Sequence, residues 1–311
     1  MIYAINYVSV GSEGAGAVYI KARDYNTKTA YERGYVDKVI EWSPEMIQDY
    51  VSKHKEIFDI SRGAGLWLWK PYVILQTLRQ INDGDYVIYA DAGSFYIDKV
   101  QPLIDVMKRD DVWLMPYEMP LLNRQFCKHE SYVLANMPVD DANQICATEL
   151  VVKKCPEAIR FVEEWLRLCE DIRILSPERC CHDIEEFPDF ITHREDQAVY
   201  SLMVHKYGLQ VYREPTEAGI MPWGYAYSRG KYMKKQYKNS PYGAILLNAR
   251  KNDPEKYERD FLKGMENLKH SWISPETKLF VTWKIKHLGK TLLLSLGLKG
   301  LYKKLKNQKE T

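Results

Sequence analysis

The hydrophobic and polar positions of this chain alternate between short continuous apolar runs and segments with helical spacing. Residues 2 to 8, apart from Asn6, and residues 86 to 90 are apolar runs of strand length. Pro71 and Pro156 each open a segment whose apolar residues recur every three or four positions. Alternation of this kind predicts an α/β fold with a largely parallel sheet.

Other parts of the chain follow the same alternation. The pattern predicts a helix start at Ser43 and Pro44, strands over residues 112–115 and 145–152, and a helix after residue 193 that stops at Gly208 before a strand over residues 209–212. Nothing repeats at a fixed period, and no linker rich in Pro, Gly or Ser divides the body. We therefore predict one domain over residues 1–270 and an appended segment over residues 271–311.

Composition describes a soluble globular chain, with 28% charged and 46% hydrophobic residues. The net charge of +2 is the sum of two unlike parts, because residues 278–311 hold nine lysines and one acid, Glu310. This tail carries +8 and the body −6. An acidic body argues against binding of nucleic acid, which requires a basic face on the main domain.

The first seven residues lack the basic region, long apolar stretch and cleavage site of a secretory signal, so we expect a cytoplasmic protein. No run approaches the roughly 18 to 20 apolar residues that span a bilayer. The six cysteines lie between Cys127 and Cys181 without the C-x₂₋₄-C pairs of structural zinc sites. This spacing favours reduced thiols over a zinc site.

Asp91 is the clearest candidate for chemistry. It directly follows the apolar run over residues 86–90 and opens the sequence Asp91-Ala92-Gly93. Ligands of open α/β sheets bind beyond the carboxyl ends of the strands, so Asp91 is expected where a nucleotide or metal would lie. The alternative is an ordinary turn aspartate.

Two further motifs stand on either side of the chain's midpoint. Residues 62–71 are Arg-Gly-Ala-Gly-Leu-Trp-Leu-Trp-Lys-Pro, and residues 193–197 are His-Arg-Glu-Asp-Gln. Together with Asp91-Ala92-Gly93, these motifs resemble a group of bacterial GT-A type glycosyltransferases of capsule and O-antigen polysaccharide gene clusters, over most of residues 1–215. The resemblance implies a GT-A fold, Rossmann-like, and a hexosyltransferase that moves a sugar from a nucleotide diphosphate donor, expected to be UDP-linked, to a lipid-linked glycan.

In that family the first aspartate of an Asp-x-Asp motif coordinates Mn²⁺ or Mg²⁺ on the donor diphosphate, and Asp91 matches it. Gly93 stands where the second carboxylate is usual, which leaves the need for a metal open. Arg62 and Lys70 lie where related folds place basic residues that reach the donor diphosphate. Their alternative is a surface arginine and a helix-start lysine.

The second motif supplies the candidate general base. Asp196 matches its aspartate, with Glu195 as the fallback, because an inverting transferase needs a carboxylate close to the acceptor hydroxyl. An aspartate that only stabilises the helix start is the alternative. His193 and Gln197 would contact donor or acceptor, and Trp67 would either cover a sugar ring or pack in the core.

Three residues between the motifs are candidates for the acceptor cleft, namely Lys128, Glu130 and Gln144, with solvated loop positions as the alternative. In the tail, lysines alternate with leucines and Trp283, which is typical of an amphipathic segment at an anionic membrane surface. This predicts a peripheral protein on the inner face of the cell membrane. The alternative is a terminal helix docked on the acidic body.

Two other functions compete with glycosyl transfer. One is a non-catalytic, membrane-attached protein that binds nucleotide sugars within a polysaccharide assembly complex, and Gly93 in place of a carboxylate favours it. The other is a nucleotidyltransferase, which is weaker because no glycine-rich basic phosphate loop follows the first strand.

Overall fold

A computed structural model describes residues 1–9, 16–222, 224–225 and 235–269, with isolated positions 277, 281, 285, 288, 289, 291, 292 and 295. The chain divides into two compact units, Met1–Pro254 and Glu255–Thr311. Most of the tail predicted to be amphipathic, including its lysines and Trp283, lies outside the described residues. The residues predicted to take part in catalysis and substrate binding lie in the first unit.

The strands are β1 (Ile2–Tyr7), β2 (Lys38–Trp42), β3 (Tyr86–Ala90), β4 (Ser94–Tyr96), β5 (Leu114–Leu122), β6 (Asn143–Lys153), β7 (Tyr212–Arg213) and β8 (Leu246–Asn248). The helices are α1 (Gly16–Glu32), α2 (Gln48–Lys53), α3 (Lys55–Phe58), α4 (Gly63–Leu66), α5 (Trp69–Gln80), α6 (Gln101–Arg109), α7 (His129–Leu134), α8 (Pro156–Cys169), α9 (Ile172–Leu175), α10 (Glu195–Lys206), α11 (Glu217–Ile220) and α12 (Pro254–Lys269). Short 3₁₀ turns cover Pro44–Ile47 and Asn123–Gln125.

The main sheet has the strand order β2-β1-β3-β6-β5-β7. β1 pairs in parallel with β2 and β3, and β5 pairs in parallel with β7. β6 runs antiparallel to both of its neighbours, β3 and β5. The predicted α/β class with a largely parallel sheet is confirmed.

The core lies on both faces of this sheet, because successive side chains of a strand point to opposite faces. Val87 and Tyr89 of β3 pack with the apolar faces of α5, α8 and α10. Ile88 and Ala90 pack on the other face, with α6 and Ala30 of α1. Burial on both faces explains why β3 reads as a continuous apolar run.

Three predicted boundaries differ from the structure. α5 begins at Trp69, two residues before Pro71. Pro71 fits there because the first N–H groups of a helix need no partner within the helix. The strand predicted to end at residue 115 extends to Leu122, and the strand predicted over residues 209–212 is the short β7, Tyr212–Arg213. The prediction ends β5 too early because the charged Glu118 interrupts its apolar residues. Glu118 is nevertheless buried in the strand, where its carboxylate accepts hydrogen bonds from Lys235 and Tyr237.

Candidate active site

The carboxyl ends of β3, β5 and β7 meet at one edge of the main sheet. Asp91 follows β3, and Glu214 follows β7. β6 starts at the same edge, and its residue Glu149 lies opposite Ala90. Polar side chains from separate parts of the sequence therefore converge where an open α/β sheet places its ligand.

Lys70 of α5 joins the two predicted catalytic motifs. Its Nζ lies 2.8 Å from Oδ2 of Asp196 and 3.5 Å from Oδ1 of Asp91, and it donates to the carbonyl oxygen of Ala147 at 3.0 Å. The Lys70 side chain is 4% exposed. Lys70 was predicted to reach a donor diphosphate. In the structure its side chain is buried between the carboxylates of Asp91 and Asp196.

Burial and charge act in opposite directions on this ion pair. Burial lowers the pKa of Lys70, but Asp196 and Asp91 outweigh it, so that the pKa is raised above its usual value. Burial raises the pKa of Asp196 to about 6, although Lys70 acts to lower it. A carboxylate with such a pKa is a stronger base near neutral pH than an exposed aspartate.

Asp91 is the more accessible of the two aspartates. Its side chain is 34% exposed, against 6% for Asp196. Its Oδ1 accepts a hydrogen bond from the Tyr89 hydroxyl, which lies inside β3. Asp91 is therefore held from behind by Tyr89 and Lys70 and presents a carboxylate at the edge of the sheet.

The segment before α5 adopts an unusual backbone. Positive φ angles occur at each residue of the run Gly63, Ala64, Gly65, Leu66 and Trp67. A Cβ on Gly63 would lie 2.3 Å from the Trp67 ring. The segment is thus not extended.

The two tryptophans have different surroundings. Trp69 stacks on Tyr7 at 4.0 Å and is buried, and its indole N–H donates to the carbonyl oxygen of Gly63. Trp67 is half-buried, and the Arg62 guanidinium lies 5.6 Å from its ring centre. Trp69 packs in the core, whereas Trp67 stays near the surface.

Arg62 ties this segment to α10. Its Nε donates to Oε1 of Glu195 at 2.5 Å, and the Glu195 side chain is buried. Glu195 has a φ of +34°, which is rare outside glycine. The fallback base is therefore already paired with one of the predicted donor-binding residues.

Gln144 lies inside β6 and is fully buried, which differs from the solvated loop alternative. Its Oε1 accepts from Arg194 at 2.9 Å and from Gln197 at 2.8 Å. The Arg194 guanidinium also lies 4.2 Å from the ring centre of Phe126. The second motif is thus anchored to β6 next to the edge described above.

Lys128 and His193 lie in a separate buried cluster. Lys128 Nζ lies 2.5 Å from Glu130 Oε1 and donates to the carbonyl oxygen of Glu178. The backbone N–H of Lys128 donates to His193 Nδ1, and burial lowers the pKa of His193 to about 3. Their contacts hold the loop around Cys180, whose N–H donates to Glu130.

The turn after Asp91 has no room for the second carboxylate of an Asp-x-Asp motif. A Cβ on Gly93 would lie 2.8 Å from Cα of Arg250, so no carboxylate can stand at that position without backbone movement. Across the described ranges, the three-residue group able to hold a cation is Cys146, Glu149 and Glu214, and Asp91 does not belong to it.

That group is buried and adjacent to Asp91. Burial raises the pKa of Glu149 and of Cys146 well above their usual values, and raises that of Glu214 to about 7. The Tyr225 hydroxyl donates to the Glu214 carboxylate at 2.7 Å. A cation would have to displace protons from these groups.

Sequence reasoning missed Glu149, Glu214, Tyr225 and Arg250. One signal was present, because Glu149 is a charged residue within an apolar run of strand length. A buried charge needs a partner or a function. For Glu214 and Arg250, only the tertiary structure brings them to the edge of the sheet.

No protein-family model matches this chain, and no curated protein sequence matches it. Solved structures with a similar chain course include mouse xyloside xylosyltransferase 1 in its apo form, with a TM-score of 0.45 and 9% identity over 80% of this chain and 98% of that one. The galactosyltransferase LgtC, with donor and acceptor sugar analogues, has a TM-score of 0.40 and 16% identity over 81% and 87% of the two chains. A glycosyltransferase that acts in glycosylation of the major capsid of PBCV-1 has a TM-score of 0.38 and 10% identity over 85% and 98%.

Proposed function

We propose that this protein is a glycosyltransferase that moves a sugar from a nucleotide diphosphate donor to a glycan acceptor. The observation that carries the proposal is the Lys70 ion pair, which connects Asp91 and Asp196 at the carboxyl edge of the sheet. These aspartates come from motifs more than 100 positions apart, yet one buried ammonium contacts both. A purely structural helix start would not need this arrangement.

In the proposed reaction, Asp91 contacts the donor and Asp196 accepts the proton of the acceptor hydroxyl. Lys70 is a positioning residue, since it orients both carboxylates and touches neither substrate. Burial supplies Asp196 with a pKa of about 6, which suits a general base near neutral pH. Arg62 pairs with Glu195 and so connects the segment before α5 to α10, beside the proposed donor site.

The donor class is tested by nucleotide release from a panel of UDP-, GDP- and dTDP-sugars with a polyprenyl-linked glycan acceptor. We expect turnover with UDP-sugars and not with the other two nucleotide classes. Asp91→Ala should lower the rate of nucleotide release by at least about a hundredfold, because a donor contact is removed. Asp98→Ala is the matched control, since Asp98 is exposed and, within the described part of the chain, its carboxylate accepts from the N–H of Lys99. Nucleotide binding without turnover would instead support the non-catalytic function.

We further propose that the acceptor is a lipid-linked glycan of bacterial capsule or O-antigen synthesis and that the C-terminal segment binds the inner face of the membrane. Four described apolar residues of that segment, Val281, Ile285, Leu288 and Leu292, are 45 to 67% exposed. Their spacing of four, three and four places them on one face of a helix. In the part of the chain that the structure describes, no helix is long and apolar enough to cross a bilayer.

Truncation after Pro275 tests this membrane contact. Each lysine near an anionic surface contributes on the order of 1 kcal/mol, so the full chain should float with vesicles that contain phosphatidylserine. The truncated chain should stay at the bottom of the gradient. Equal flotation of both chains would contradict the proposal, and neutral phosphatidylcholine vesicles provide the control for charge.

A further inference from the structure

Arg250 is attached to the Asp91–Gly93 turn through its backbone. Its N–H donates to the carbonyl oxygen of Gly93 at 2.9 Å, and β8, which ends two residues earlier, pairs with β4. The Ser94 hydroxyl and the Asn248 side chain approach to 2.6 Å in the same region. The pairing of β4 with β8 and the hydrogen bond to Gly93 therefore place Arg250 beside the turn that contains Asp91.

The backbone of Arg250 is strained. Its φ is +56°, in the left-handed region that non-glycine residues rarely adopt. Such residues persist only where the surroundings hold them, and they concentrate at functional sites. Arg250 fills the space that the second carboxylate of an Asp-x-Asp motif would need.

The side chain of Arg250 is exposed, and it makes no hydrogen bond or ion pair with any described residue. Arg194, the residue before α10, stacks on Phe126 and donates to Gln144 of β6. Burial, and in smaller part the charge of Arg250, lower the pKa of Arg194. An exposed guanidinium that has no partner among the described residues and stands beside Asp91 is available to bind an anion.

We propose that Arg250 forms a diphosphate-binding site that takes the place of a metal ion beside Asp91. Its guanidinium fork would bind phosphate oxygens and neutralise the charge that develops on the leaving nucleotide diphosphate. The positive charge comes from the residue two positions after β8, the strand that pairs with β4, instead of from an ion held at residue 93. This inference deepens the proposed function and rests on it for the identity of the leaving group.

Binding of inorganic pyrophosphate and of UDP to the full-length protein tests the site by calorimetry, in buffer with EDTA. We expect wild-type affinity to be unchanged by EDTA, and Arg250→Ala to weaken both ligands by roughly tenfold to a hundredfold. Arg250→Lys should recover part of the loss. Arg160→Ala is the matched control, since Arg160 is an exposed arginine paired with Glu157 on α8.

Loss of wild-type binding in EDTA would overturn the proposal, as would wild-type affinity in Arg250→Ala. Gly93→Asp supplies a second variant, which should weaken binding without creating a response to Mn²⁺, because any side chain there collides with Arg250. Gain of Mn²⁺-dependent binding in that variant would also overturn it. Pyrophosphate binding that depends on Arg250 without sugar turnover would leave this inference standing and reject the glycosyltransferase proposal.

Discussion

Lys70→Met is expected to lower the free energy of unfolding by about 3–5 kcal/mol, since it leaves the buried Asp196 carboxylate without its cation. Lys70 is 4% exposed and lies 2.8 Å from Asp196 and 3.5 Å from Asp91. The methionine fills similar volume, so the loss reflects charge and not a cavity. Urea denaturation followed by tryptophan fluorescence measures it.

Arg79→Met gives the matched comparison for an exposed ion pair. Arg79 and Glu163 approach to 2.8 Å with about half of each side chain exposed, so its removal should cost less than about 1 kcal/mol. The double variant Lys70→Met with Asp196→Asn should recover part of the stability, because the buried charge disappears with its partner. A Lys70→Met protein as stable as Arg79→Met would show that the Lys70 pair does not hold the site together.

Lys70→Met also affects the titration of Asp196. The pKa of Asp196 is already about 6 because of burial, and Lys70 acts to lower it. Without the ammonium, that pKa should rise further, and the acid limb of the activity profile should move to higher pH. A shift of the acid limb to higher pH would show that Lys70 positions and tunes Asp196. A mere loss of folded protein would instead lower activity equally at every pH.

The order of strands and helices could be predicted from the sequence because the spacing of apolar residues depends on which faces of each element are buried. β3 is apolar throughout because it is covered on both faces, and α8 begins at Pro156 as its spacing predicts. The end of β5 could not be predicted, since Glu118 interrupts its apolar run and is satisfied by residues about 120 positions away. Such long-range pairing leaves no local signal.

The candidate site was predictable only as a set of motifs. Asp91 could be located because it ends a recognisable strand. The roles of its neighbours depend on which side chains meet, and spacing does not contain that information. Lys70 was expected at a diphosphate and lies between two aspartates, whereas Arg250, which belongs to no motif, lies beside Gly93.

Asp196→Asn is expected to lower kcat by roughly 10²–10⁴-fold with the donor KM little changed, because a general base contributes about that factor. Asparagine keeps the shape of the side chain but cannot accept the acceptor proton. Asp59→Asn is the matched control, since Asp59 is an exposed partner of Lys55 on the surface. Steady-state nucleotide release with the donor class identified above measures both variants.

The pH dependence distinguishes Asp196 from Glu195 as the base. Protonation of Asp196 removes the base, so wild-type kcat should fall as the pH drops through about 6, the pKa that burial gives this carboxyl group. The residual activity of Asp196→Asn should lack that limb, whereas Glu195→Gln, which releases Arg62 but leaves Asp196 intact, should keep it. If Asp196→Asn retained both its rate and the acid limb while Glu195→Gln lost them, the base would be Glu195, and the Lys70–Asp196 pair would serve only to orient Asp91.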